Sequence, residues 1–213
     1  LSVAARGGHV EVVKLLIKAK ANVNERDFYG RTPLHWAAEG GHVEAARVLM
    51  KAKANIHESD INGRTPLHWA VRGRHVEVVK LLIKTKANIN ESDTNRRTPL
   101  HWAARGGHVE VVKLLIKAKA NVNERDFCGR TPLHWAAEGG HVETVKLLLK
   151  SGANAEVILD VSFSESVLDL LLYTFSGKYN PFAPRGMAYI QGHEEVVKVL
   201  TKHIQMTTAC NIL

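Results

Sequence analysis

Twelve histidines in 213 residues invite a metal hypothesis, and their spacing argues against it. His35, His68, His101 and His134 recur at a constant interval of 33 residues. A metal site needs ligands that converge on one point, whereas a long constant interval lays single residues out in a row. The pattern therefore reads as structural, and no metal or cofactor is expected. Trp36, Trp69, Trp102 and Trp135 keep the same interval. They read as packing between successive units; the sharper alternative is an aromatic pocket for a cation such as a methylated lysine. Cys128 sits near Arg125 and Arg130, and basic neighbours can depress a thiol pKa. Its counterpart one block earlier is Tyr29, so that position needs no thiol. Phosphate-cradling Gly-x-x-x-x-Gly-Lys-Ser/Thr, nucleophile-elbow and His-Glu-x-x-His patterns are all missing from the sequence. A non-catalytic chain is expected.

The elements that hold these rows come from the same period. Thr32-Pro33-Leu34-His35-Trp36-Ala37 returns from Thr65, Thr98 and Thr131. Thr32 suits a helix N-cap and Pro33 the first helical position, where no N–H is needed. Leu34, Ala37 and Ala38 give a short helix with a thin apolar face, ended by Gly40 and Gly41. A second helix follows from about His42, with Val43, Ala46, Val48 and Leu49 on helical spacing. Asn55 and Asp60-Ile61-Asn62-Gly63 form a turn before the next Thr-Pro. Helices this short cannot stand alone in water. They must bury their faces against neighbouring units, which makes a solenoid.

Four in-phase copies of Thr-Pro-Leu-His-x-Ala, joined to Gly-His-Val-Glu at Gly41, Gly107 and Gly140, resemble the ankyrin-repeat family. The likeness is close over residues 1–156 and looser over 183–204. It implies an all-α solenoid of helix-turn-helix units joined by β-hairpin-like turns. It also implies that Thr32 and Pro33, Thr65 and Pro66, Thr98 and Pro99, and Thr131 and Pro132 open the first helices. In that family the motif His bonds the Thr of its own unit and the backbone of a neighbour. Carried over, His35, His68, His101 and His134 pair with Thr32, Thr65, Thr98 and Thr131.

Several positions depart from the pattern. Lys20, Lys53, Lys86 and Lys119 stand where the family has Gly after the second helix, at roughly 1 kcal/mol each if the backbone stays left-handed. Arg96 replaces a turn Gly and Arg74 the Gly equivalent to Gly41, so local adjustment is expected in repeats 3 and 4. The chain opens without Met, inside a truncated first repeat, as a fragment or processed chain does. Residues 5–44 match 104–143 except at Tyr29/Cys128, which reads as duplication of a three-repeat block. Residues 157–204 read as a divergent capping repeat with an insertion. Its apolar segment 157–175 is a cap or, alternatively, a docking helix. Residues 205–213 read as a flexible tail.

Charge and exposure point to partners. The net charge is +8. The second helices carry a lysine stripe in which Glu11, Glu44, Glu77, Glu110 and Glu143 precede Lys14, Arg47, Lys80, Lys113 and Lys146 by three residues, a pairing position. That stripe reads as a solvated outer face, with nucleic-acid binding as the lesser alternative. Family members bind through hairpin tips and the concave face of the first helices. Mapped here, the tips are Phe28, Tyr29, Ile61, Asn62, Thr94, Asn95, Phe127 and Cys128. Arg31, Arg64, Arg97 and Arg130 run beside them, and Glu39, Arg72, Arg105 and Glu138 mark the first-helix ends. The last four run minus, plus, plus, minus, which suits a protein or peptide whose acidic segment faces repeats 3 and 4. The resemblance implies a monomeric adaptor or scaffold, with a substrate-recruiting arm of a larger enzyme as another reading. Two cysteines, Cys128 and Cys210, with no disulfide or metal-ligand spacing favour an intracellular compartment. No apolar run is long enough to span a membrane, and the first residues lack the form of a secretory signal.

Overall fold

A computed structural model of the protein describes residues 1–157 and 183–210. Each unit is two antiparallel helices. The first helices are α1 (Ser2–Arg6), α3 (Pro33–Glu39), α5 (Pro66–Arg72), α7 (Pro99–Arg105), α9 (Pro132–Glu138) and α11 (Pro184–Ile190). The second helices are α2 (Val10–Lys18), α4 (Val43–Lys51), α6 (Val76–Lys84), α8 (Val109–Lys117), α10 (Val142–Lys150) and α12 (Glu194–Cys210). First helices stack on first helices and second on second along the chain, α11 on α9 and α12 on α10 included. The chain is an all-α repeat solenoid, with no strand among the described residues.

The core lies between the two helix rows. Leu34, Ala37 and Ala38 are wholly buried, as are their counterparts Leu67, Ala70 and Val71, Leu100, Ala103 and Ala104, and Leu133, Ala136 and Ala137. From the second helix of repeat 2, Ala45, Ala46 and Leu49 complete it. Val43 and Val48, also expected there, are only half-buried. The N-terminal end of the stack shows what neighbours contribute. Val12 is 45% exposed there, while its counterparts Ala45, Val78, Val111 and Thr144 are wholly buried against the preceding unit. Each unit thus lends its neighbour the surface that the neighbour's helices cannot cover alone.

The turns are stapled by aspartates. Asp27 Oδ1 accepts the backbone N–H groups of Tyr29 and Arg31, both at 2.9 Å, and the Asp27 N–H donates to the Arg31 carbonyl at 2.9 Å. Asp60, Asp93 and Asp126 repeat this. Successive tips are then joined by backbone bonds, Ile61 N–H to Tyr29, Thr94 to Asn62 and Phe127 to Asn95, each 2.9–3.0 Å.

The residues that break the glycine pattern still take its backbone. Lys20, Lys53, Lys86 and Lys119 have φ of 62°, 66°, 67° and 73°, and Arg74 and Arg96 both have 58°. Arg74 N–H bonds the Val71 carbonyl at 3.0 Å, and Arg96 N–H bonds that of Asp93 at 2.8 Å, so both turns close as a glycine turn would. The local adjustment expected in repeats 3 and 4 falls on a neighbouring side chain. A Cβ on Gly8, Gly41, Gly107 or Gly140 would collide with the imidazole Nδ1 of the next unit's histidine. Arg74 carries such a Cβ, and the histidine facing it is His108. Elsewhere this histidine turns Cδ2 toward its own unit's glycine, as His75 does toward Gly73; His108 turns Cε1 toward Gly106. Its ring is rotated, and its Nδ1 is buried without a partner.

At the C-terminal end, Ala183 occupies the extended N-cap position before Pro184. His193 Nε2 meets the Glu138 carbonyl at 2.9 Å, as second-helix histidines do elsewhere. Helix α12 runs on to Cys210, past Ile204 where a flexible tail was expected to begin. No Gly or Pro interrupts residues 194–210. Thr207 Oγ1 donates to the carbonyls of His203 and Ile204 at 3.2 and 2.9 Å, within the turn. Most of the apolar segment expected to cap or dock lies outside the described residues.

Candidate partner-binding surface

The motif histidines are committed to the backbone. Thr32 N–H donates to His35 Nδ1 at 3.0 Å, and the Thr32 hydroxyl lies 2.9 Å from the same nitrogen. Because Nδ1 accepts, the proton sits on Nε2, which faces the Arg64 carbonyl at 3.0 Å. His68 does the same with Thr65 and the Arg97 carbonyl, and His101 with Thr98 and the Arg130 carbonyl. His134 bonds Thr131 alike. Pro33 and its counterparts open each helix. Burial pushes the pKa of His35 and His68 down to about 4 and lowers that of His101, against the opposing pull of the carbonyl each ring faces. Neutral, buried rings with both nitrogens engaged are joints between repeats. Among the described residues, no three His, Cys, Asp or Glu side chains gather as a metal site would require.

Arginine and tryptophan alternate along the side of the first helices and turns. The Arg31 guanidinium lies 4.6 Å from the Trp36 ring centre and 3.7 Å from that of Trp69. Arg64 lies 5.4 Å from Trp69 and 5.0 Å from Trp102. Arg97, Arg105 and Arg130 all lie within 5.1 Å of Trp135. The faces on which an external cation would sit already carry guanidinium groups, so the methylated-lysine reading does not hold. Trp69 and Trp135, 2% and 8% exposed, pack as expected between first helices.

The row is not uniform. Trp36, Trp69 and Trp135 donate Nε1–H to the turn aspartates Asp27, Asp60 and Asp126 at 2.8, 3.1 and 3.1 Å. Among the described residues, Trp102 Nε1 has no acceptor and the corresponding Asp93 Oδ2 no donor, although both atoms are buried. Such a donor costs roughly 1–3 kcal/mol if left unmade. The arginines divide in the same way. Arg31 pairs with Glu39 at 3.1 Å and Arg130 with Glu138 at 3.0 Å. In repeats 3 and 4 the glutamate positions are Arg72 and Arg105, so Arg64 and Arg97 have no such neighbour. Arg97 keeps only the turn carboxylate of Asp126, at 3.7 Å from Nε. A cleft of about 580 Å³ opens here, lined by Arg64, Arg72, Arg97, Arg105, Trp102 and His108, with Gly106 at its edge. The four arginines singled out in repeats 3 and 4 therefore share one cleft. Trp102 was expected only as one of a uniform row of four, and His108 is the unforeseen member; the replacement of a glycine by Arg74 was the one sequence signal for it.

The remaining candidates lie on separate surfaces. Phe28, Tyr29, Ile61 and Phe127 are exposed at the tips, Phe28 at 91%, as are Asn62, Thr94, Asn95 and Cys128. Phe28 and Tyr29 meet edge to face at 5.6 Å. The tip arginines are less free than a solvated row; Arg31, Arg64, Arg97 and Arg130 are all half-buried against the tryptophans. On the outer row, Lys14, Lys80 and Lys146 each meet the glutamate three residues earlier at 2.7 Å. Arg47 and Lys113 do so at 3.2 and 3.8 Å. Exposed pairs of this kind add little stability, and they leave the other lysines of the row unpaired by these glutamates. No helix among the described residues is long and apolar enough to cross a membrane.

A family model for ankyrin repeats matches residues 1–93 and 85–158. No curated protein matches the chain closely enough to count as a relative. With the repeat geometry and a model covering most of its length in agreement, the chain belongs to the ankyrin-repeat family.

Proposed function

We propose that this chain is a non-catalytic interaction module, working as a monomer inside the cell, that seats an acidic segment of another protein. Ankyrin repeats are generally protein–protein interaction modules, so a protein partner is the starting point. The acidic segment would lie along the concave side, centred on repeats 3 and 4. One observation carries the reading: where repeats 2 and 5 close each tip arginine with a glutamate, repeats 3 and 4 set a second arginine there. Arginine on a rigid scaffold gives planar, forked recognition of carboxylates at small ordering cost. The exposed aromatic tips add contacts of the type that dominates binding energy.

Replacing Arg64 and Arg97 by Glu is expected to weaken binding to an acidic peptide at least tenfold, with helical content unchanged by circular dichroism. Binding of the unmodified protein should fall steeply between 50 and 300 mM salt. Equal binding by the double variant removes the acidic-partner reading.

A further inference from the structure

Resting on that reading, we propose that the cleft between repeats 3 and 4 is a phosphate-recognition site for a phosphorylated side chain on the partner's acidic segment. The charge of the cleft exceeds what a carboxylate can answer. Arg64, Arg72, Arg97 and Arg105 line it, and among the described residues no carboxylate does. Arg64, Arg72 and Arg105 make no ion pair within 4.0 Å among the described residues. One carboxylate would leave most of that charge unanswered. A phosphate monoester brings a charge of about −1.5 to −2 and three acceptor oxygens. Guanidinium forks match those oxygens two at a time. The volume, about 580 Å³, holds a phosphorylated side chain together with the adjoining peptide.

The walls support the same ligand. Trp102 Nε1–H, alone among the four indole donors, has no acceptor among the described residues, whereas the unbonded Nε of Arg64 and Arg97 is shared by Arg31 and Arg130 and does not set this cleft apart. The His108 ring also lines the cleft. Every arginine needed is held in place: Arg64 and Arg72 lie at 5.0 and 5.9 Å from the Trp102 ring, and Arg97 and Arg105 at 4.7 and 5.1 Å from that of Trp135. The pattern of repeats 2 and 5 supplies its own control. Arg72→Glu and Arg105→Glu restore the residue found at Glu39 and Glu138, where the fold already accepts it and where it closes an ion pair onto the tip arginine.

The test uses three twelve-residue peptides of Glu, Gly and Ser, read by fluorescence anisotropy at 150 mM salt. They share one sequence and carry at the centre a serine, a phosphoserine, or an Asp-Asp pair of matched charge. The phosphoserine peptide should bind at least tenfold tighter than the serine peptide and at least threefold tighter than the Asp-Asp one. R72E/R105E should erase that increment while thermal unfolding stays as in the unmodified protein. R72Q/R105Q, which adds no new charge, should reduce it as well and decides the matter if the glutamate variant does not fold. Lys80→Glu with Lys113→Glu on the outer row should leave it intact. If the serine peptide binds but phosphorylation adds less than twofold, or the increment survives R72Q/R105Q, the phosphate site is refuted and the acidic-partner reading stands. If none of the peptides binds, both fail. Inorganic phosphate or pyrophosphate binding as tightly as the phosphopeptide would make this a small-anion site and overturn the proposal.

Discussion

Lowering the pH from 7 to 5 should sharply weaken the fold, before most carboxylates have titrated. His35 and His68 have folded-state pKa values of about 4, against an ordinary value of 6.5. The folded protein therefore binds fewer protons than the unfolded chain between those values. Their contribution is whole above pH 6.5 and is lost as pH falls toward 4. At pH 5 the loss is about 2 kcal/mol for each of the two rings, with a further loss from His101, whose pKa is lowered in the same direction. The geometry explains the penalty. Nδ1 already accepts the N–H of the N-cap Thr, so a proton there would face another proton in a dry site. The check is urea denaturation across pH 5–7, with histidine NMR titrations assigning the protons. A midpoint flat over that range would mean that the rings are not the neutral joints described here.

The second large effect is a contrast between two tryptophans in identical motifs. Trp69→Ala should cost about 3–5 kcal/mol. It removes a ring that is 2% exposed, packed under Arg31 at 3.7 Å and bonded to the buried Asp60. That carboxylate oxygen would then lose its donor. Trp102→Ala removes a half-buried ring whose Nε1–H is unpaired, so its cost should be clearly smaller. Chemical denaturation of the two variants side by side measures the difference. Equal costs would show that the tryptophans form a uniform row and that repeat 4 is not special.

The residues differ in how openly the sequence showed their roles. Leu34, Ala37 and the Thr-Pro cap declare themselves, because a short helix has one buried stripe and one opening turn. Lys20 and its counterparts were legible as left-handed residues because they replace a glycine in phase. The minus, plus, plus, minus series at Glu39, Arg72, Arg105 and Glu138 marked repeats 3 and 4 as different. Trp102 was not legible. Its hexapeptide is the same as that of Trp69, and what distinguishes it is the missing bond from its indole N–H to the turn aspartate, which no residue type in the repeat announces. His108 was hidden for a similar reason: its ring answers to a Cβ 34 residues earlier in the chain, at Arg74. In a solenoid, a residue's neighbours lie one period away, so substitutions act on the unit next door. Residues 158–182 gave a clear apolar pattern in sequence and lie outside the described structure.

The most direct test of the concave-face account is an NMR titration of the four indole N–H signals with the acidic serine peptide. The signals of Trp36, Trp69 and Trp135, each bonded to an aspartate, should move little. That of Trp102, identified through Trp102→Phe, should shift most, because its ring lines the cleft the peptide enters. A titration that shifts the other three and leaves Trp102 in place would contradict the account, since the acidic segment would then be bound elsewhere.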